Sequence, residues 1–142
     1  TMRKLLLAAA MAALPVFTAV PAFAVSDGDV VGVWKHPDNG SHIQIYACGQ
    51  SACAKVVKVA DPSRKDDKNP DPKLRNRSVV GVVIMNGGKK VGPLKWQGRL
   101  YNTLDGGTYS GTLELMSEKQ LKLSGCVLGG LICDSRVWTR VR

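Results

Sequence analysis

Histidine is nearly absent from this chain. His36 and His42 are the only two in 142 residues. They flank Pro37-Asp38-Asn39-Gly40, a turn-forming quartet, and read as exposed turn neighbours rather than as a metal pair completed by Asp38. Their scarcity removes most hydrolytic and metal chemistry. The sequence has no HExxH, no Ser-His-Asp set, no reactive thiol context and no phosphate-cradling glycine loop. Acidic residues are few too, 11 against 20 lysines and arginines. The adjacent pair Asp66-Asp67 reads as a solvated loop among lysines, unsuited to acid–base work. No catalytic residue, metal or cofactor is expected, and the chain reads as non-enzymatic.

Aromatic residues are also sparse, 6% of the chain. The arginine-bearing stretch Asp61 to Arg77 has none, so it lacks the stacking platforms that nucleic-acid binding needs. The net charge of +9 is spread out. Its densest part is Lys89, Lys90, Lys95 and Arg99, within a stretch without acids, which reads as one modestly basic solvated face.

Long apolar runs are limited to one. Arg3 and Lys4 precede an apolar stretch from Leu5 to Val20, and Ala22-Phe23-Ala24 offers a small-x-small cleavage site. The stretch is broken by Pro15 and is shorter than the roughly 20 residues of a membrane span. Residues 1–24 are therefore expected to be a cleaved signal peptide, leaving 25–142 as a single domain in the periplasm or secreted, not transmembrane. The cysteines agree with export, because four of them in an oxidising compartment read as two disulfides. Cys48 and Cys53 bracket Gly49-Gln50-Ser51-Ala52, and Cys126 and Cys133 bracket Gly129-Gly130. If both are tight hairpins, each pair lies directly across its two strands, which favours Cys48–Cys53 and Cys126–Cys133. Neither spacing suits a structural zinc site.

What the chain does have is alternation. Expected strands run Val30 to His36, Ser41 to Cys48, Cys53 to Val59 and Val79 to Met85. Four more run Leu94 to Tyr101, from Tyr109, from Leu121, and Leu131 to Val141. Turn residues separate them, including Asn86-Gly87-Gly88 and Asp105-Gly106-Gly107. The fourth strand is apolar at nearly every position and is expected to be covered on both faces. Eight short antiparallel strands predict an all-β, eight-stranded up-and-down barrel, with a sandwich as the rival.

Gly32-Val33-Trp34 near the start and Trp138-Thr139-Arg140 near the end resemble the lipocalin (calycin) arrangement. That resemblance implies a tryptophan, Trp34, plugging the closed end under a late basic side chain in a cation–π contact. Arg140 is the partner it points to, and Arg142 is second. The whole domain resembles an exported bacterial family catalogued as domain of unknown function 2147. The residues that carry this are Asn69-Pro70-Asp71-Pro72, Leu74-Arg75-Asn76-Arg77, Val80 to Ile84, Trp96-Gln97-Gly98 with Tyr101, and Gly106 with Tyr109. The resemblance implies a lipocalin-like barrel and brings no established activity.

Function is then a matter of the barrel interior. A turn at Gly129-Gly130 pairs Leu121 with Trp138, Leu123 with Arg136 and Gly125 with Asp134. Leu121, Leu123 and Val127 should point inward, so Arg136 and Trp138 would line the interior. A buried arginine must be paired, with Asp134 or with the acidic head of a ligand. Trp96 and Tyr109 are further lining residues, unless they simply fill the core. These residues predict a carrier of a small apolar or anionic amphipathic envelope molecule. The rivals are a protein-binding module, such as a hydrolase inhibitor, that meets an envelope protein through its loop rim, and a structural envelope component. The long connection Asp61 to Lys73 is expected to carry a helical turn opened by Pro72 and capped by Asp71. Leu74 would lie across one barrel end, fixed by Arg75 and Arg77 bonding to Asp61 or Asp71.

Overall fold

Alternating apolar residues bounded by glycine, proline and asparagine form strands here, and the strands close on themselves. The computed structural model describes residues 8–18 and 24–142. Arg3, Lys4, Ala22 and Phe23, on which the expected signal peptide rests, lie outside the described residues, and residues 8–18 form neither helix nor strand. Eight antiparallel strands form a closed barrel in chain order: β1 (Gly32–Lys35), β2 (His42–Cys48), β3 (Ser51–Lys58), β4 (Val83–Gly92), β5 (Lys95–Tyr101), β6 (Thr108–Ser117), β7 (Gln120–Val127) and β8 (Ile132–Arg140). Closure rests on a short seam, Trp34 opposite Arg140 and Lys35 opposite Thr139. A closed sheet has no edge, which settles the choice between barrel and sandwich. No helix among the described residues is long and apolar enough to cross a membrane.

The sequence pattern errs where glycine and polar residues act as parts of strands. Asn86-Gly87-Gly88 does not turn the chain but lies inside β4. Ala52 pairs with Gly88 and Ala54 with Met85, so the register shifts there, and Gly87 takes φ +77°. The glycine makes a bulge that bends the strand around the barrel. Gly88 and Gly98 also let neighbouring strands approach, since a Cβ on Gly98 would lie 3.1 Å from the Gly88 Cα. The apolar run before β4 is not a doubly covered strand. Val79 and Val82 are buried on either side of a turn at Val80-Gly81, while Val80 and Val83 face solvent. Val30, placed in the first strand by pattern, instead ends a 3-10 turn, Asp27–Val30.

The two ends of the barrel differ. At the closed end Trp34 is fully buried. Its Nε1–H donates to the Val30 carbonyl at 2.9 Å, and the Arg140 guanidinium lies over its ring at 4.3 Å. Arg140 is therefore the partner, not Arg142. Ile45, Met85, Leu113 and Leu121 complete this packed half. Asp27 anchors the 3-10 turn to the β4–β5 hairpin, accepting from the Leu94 backbone N–H at 3.1 Å and from Lys90.

Both disulfides pair as the spacing suggests, Cys48–Cys53 and Cys126–Cys133. Cys126 and Cys133 are directly opposite. Cys48 and Cys53 are diagonal, because Cys48 pairs with Ser51 and Cys53 with Tyr46. The turn is Gly49-Gln50 alone, two residues shorter than the bracketed quartet. Loops this short leave each bond about 2 kcal/mol by chain entropy. Reducing the protein is therefore expected to lower the urea midpoint without abolishing cooperative folding, and loss of the transition altogether would contradict this.

Candidate functional site

At the open end the inward positions stop being large enough to fill the barrel, and a cavity results. It has a volume of about 300 Å³. Its walls are apolar, with Ile43, Val56, Ile84, Leu100, Leu123 and Trp138 among them. Its rim is polar and comes from three places: the β1–β2 turn, the β5–β6 loop and the long β3–β4 connection.

The register predicted for β7 and β8 is the one observed: Leu121 with Trp138, Leu123 with Arg136 and Gly125 with Asp134. Arg136 and Trp138 both line the cavity, as do Tyr109 and Leu123. Val127, expected to point inward, is exposed near the hairpin tip. Trp96 is buried core outside the cavity lining, and Leu74 lies apart from it on the connection, about one-third exposed.

Arg136 is at the mouth rather than buried, and it is already paired. Its Nε donates to Asp38 at 2.9 Å and its Nη1 to Asp134 at 2.6 Å. These hydrogen bonds, Asp38's first, raise its pKa further above the ordinary arginine value. Asp38 belongs to the turn at Pro37–Gly40, so the ion pair ties β8 to the β1–β2 turn across the mouth. Arg64 is the second cation of the rim. Its Nη2 donates to the Thr103 carbonyl and hydroxyl, both at 3.0 Å, and no carboxylate among the described residues pairs with it. Tyr109 donates to Asp105, a bond that raises the phenol pKa.

The rim is held by a residue that sequence reasoning placed in solvent. Asp66 is completely buried. One carboxylate oxygen accepts from Tyr101 Oη at 2.5 Å. The other accepts from Asn69 Nδ2 and from Arg77 Nε, each at 2.9 Å. Burial works to raise the pKa of Asp66, but the three hydrogen bonds and the Arg77 charge outweigh it and hold the pKa below 3.8. Burial and then the Asp66 partner push the Tyr101 phenol up to about 12, so it stays a donor. Arg77 is therefore fixed by Asp66 and not by Asp61 or Asp71. Arg75 instead donates to the Asn69 carbonyl at 2.8 Å. Asp71 caps the Pro72–Leu74 turn as expected, accepting from the Lys73 N–H at 3.0 Å. Tyr101 also lines the cavity, so this cluster connects the connection to the site wall.

The β5–β6 loop packs onto the same connection. Gly106, at φ +75°, lies so close to Lys68 that a Cβ there would overlap the Lys68 carbonyl. Connection and loop thus form one rim. The two histidines do not come together as a site: no cluster of three potential metal ligands occurs among the described residues. His36 packs edge-on against Trp138, with ring centroids 4.7 Å apart.

The family described as "Uncharacterized protein conserved in bacteria (DUF2147)" matches residues 32–140, from the glycine of Gly-Val-Trp to the arginine over Trp34. The chain belongs to that family. A solved structure similar to this DUF2147 chain is protein HP1028 of the human pathogen Helicobacter pylori, described as belonging to the lipocalin family. The two are 28% identical, with a TM-score of 0.72 over 80% of this chain and 83% of that one. No curated protein matches. The DUF2147 barrel is thus lipocalin-like. Fold and family together suggest a binding protein rather than an enzyme. The two disulfides and the bacterial family fit a location outside the cytoplasm.

Proposed function

We propose that this DUF2147 protein is an exported carrier or sensor, in the periplasm or secreted, that takes a small, mainly apolar molecule into the open half of its barrel. The observation that carries the reading is the division of the interior, packed solid around Trp34 and open as a cavity of about 300 Å³ beneath a polar rim. That volume is at the lower end of ordinary ligand sites, roughly 300–1,000 Å³. The apolar body of the ligand rests on Ile84, Leu100, Leu123 and Trp138. An anionic head would draw on Arg64, because Arg136 is already matched by Asp38 and Asp134.

Gly125 offers a clean test. It lines the cavity, and a Cβ there would meet only Tyr109, at an ordinary 3.5 Å. Gly125→Leu should therefore fill the cavity without straining the backbone. Binding of the apolar fluorophore N-phenyl-1-naphthylamine is expected to weaken at least tenfold, with the melting temperature within a few degrees of wild type. Unchanged binding by a folded Gly125→Leu protein would remove the cavity from the function.

The protein-binding alternative has one observation of its own. The β7–β8 tip exposes Leu128, Leu131 and Ile132 beside the Cys126–Cys133 bond. If no apolar probe enters the wild-type barrel, that tip becomes the better candidate surface.

A further inference from the structure

Trp138 combines two facts that bear on what the ligand is. It is a wall of the cavity, and its indole N–H is buried without a hydrogen-bond partner. The whole residue is only 6% exposed. Burying a donor without an acceptor is costly, and native proteins leave few such groups. Its neighbour His36 adds a second donor. The His36 Nδ1 accepts from the backbone N–H groups of Asp38 at 3.1 Å and Asn39 at 3.4 Å. A neutral ring so held carries its proton on Nε2.

The carboxylates nearby are turned to other donors. Asp38 and Asp134 receive Arg136, and Asp105 receives Tyr109 and the Gly107 N–H. On this side of the cavity two donors, Trp138 Nε1–H and His36 Nε2–H, thus face no acceptor among the described residues. Around Arg136 the two carboxylates Asp38 and Asp134 outnumber the one guanidinium, which disfavours a further anion there.

We propose that Trp138 Nε1–H, with the His36 ring beside it, forms a subsite for an uncharged carbonyl oxygen, so that the ligand is a neutral apolar ketone, ester or amide. This rests on the cavity reading above and narrows it. The Nε1 atom is covered in this structure, so the side chains over it shift to admit the carbonyl. The carbonyl then supplies the acceptor that the indole lacks, while the apolar remainder of the molecule covers the rest of the wall.

The test compares 2-decanone with decane, each displacing N-phenyl-1-naphthylamine from wild-type and Trp138→Phe protein. Trp138→Phe keeps an aromatic ring and removes the N–H. It is expected to weaken 2-decanone about five- to tenfold, the value of one hydrogen bond, and to leave decane within twofold. Equal effects on both compounds, or no effect on either, overturn the carbonyl subsite while the cavity reading stands. Failure of the fluorophore to bind wild-type protein overturns both. A second measurement needs no variant. The Trp138 indole N–H resonance of the wild-type protein should move downfield on adding 2-decanone and not on adding decane. An unmoved resonance at saturation overturns the proposal even if Trp138→Phe does not fold.

Discussion

Asp66→Ala is expected to destabilise the barrel by about 3–5 kcal/mol, the usual cost of breaking a buried ion pair by removing one partner. The carboxylate is fully buried and receives Tyr101, Asn69 and Arg77 together. Removing it leaves three donors without their acceptor and frees the connection from the rim. Arg77, with 38% of its side chain exposed, can turn back to water, but Asn69 is buried and cannot. For a domain whose total stability is about 5–15 kcal/mol, that is a large share. The same carboxylate gives a pH signature. Its pKa is depressed in the folded state, so its stabilisation is complete above the unfolded value of about 3.9 and is lost as pH falls through the lower folded value. Wild-type protein should therefore lose urea resistance more steeply than Asp66→Asn does as pH falls below about 4. Parallel acid profiles for the two proteins would show that Asp66 is not the group being titrated. A double-mutant cycle with Arg77→Ala should give a coupling of about 0.5–3 kcal/mol.

Asp66 also marks the limit of reading this sequence by pattern. Alternation locates strands because one face of a sheet is buried and the other is not. It places seven of the eight strands to within a few residues, and the β7–β8 register down to Leu123 opposite Arg136, whereas the expected fourth strand overlaps β4 only at Val83 to Met85. Asp66 belongs to no strand. Its burial comes from Asn69 and Arg77 on one loop and Tyr101 on a distant strand, a conjunction that no local window contains. Proximity to Lys65 and Lys68 suggested a solvated loop, although those lysines take no part in the cluster. One signal is present in the sequence. Arg75 and Arg77 call for acceptors, and Asp66 stands 11 residues from Arg77, nearer along the chain than Asp61 though farther than Asp71.

The boundary of β4 was missed for a different reason. Asn86-Gly87-Gly88 has the composition of a hairpin turn, and Gly87 does adopt the positive φ such a turn needs. In a closed barrel the same conformation serves as a bulge, because the strand must bend to meet its neighbours. The turn falls instead at Pro93-Leu94, where Leu94 takes φ +57° without being glycine. Arg136 shows the same dependence on tertiary context. Its inward register was legible, but its exposure was not, since that depends on how far β8 rises above the packed floor. The cavity itself follows from volumes of side chains brought together by closure, which a list of strands does not supply.

Trp34→Ala is expected to cost about 3–5 kcal/mol, in the range for removing a large buried aromatic side chain, and to open the closed end. Trp34 is in contact with each part of that end. Its ring lies beneath Arg140, its Nε1–H holds the 3-10 turn through Val30, and its backbone sits in the β1–β8 seam. Arg140 in turn donates to the carbonyls of Val31, Asp29 and Glu118, so the guanidinium joins the turn, the seam and the β6–β7 hairpin. Gly32 completes the arrangement by having no side chain. A Cβ at that position would overlap Arg140 Nη1 and lie 2.5 Å from the Arg142 carbonyl oxygen, on a backbone at φ +154°. Glycine, tryptophan and arginine thus form one device, in which the missing Cβ admits the guanidinium that covers the ring. Three variants should rank accordingly. Trp34→Ala should lose most, Gly32→Ala about 1–3 kcal/mol from overpacking, and Arg140→Lys about 0.5–2 kcal/mol, because a lysine cannot reach three carbonyls while lying flat on the indole. Urea unfolding followed by tryptophan fluorescence would measure all three. If Gly32→Ala proves neutral while Arg140→Lys does not, the close approach of Gly32 to the guanidinium does not hold the closed end.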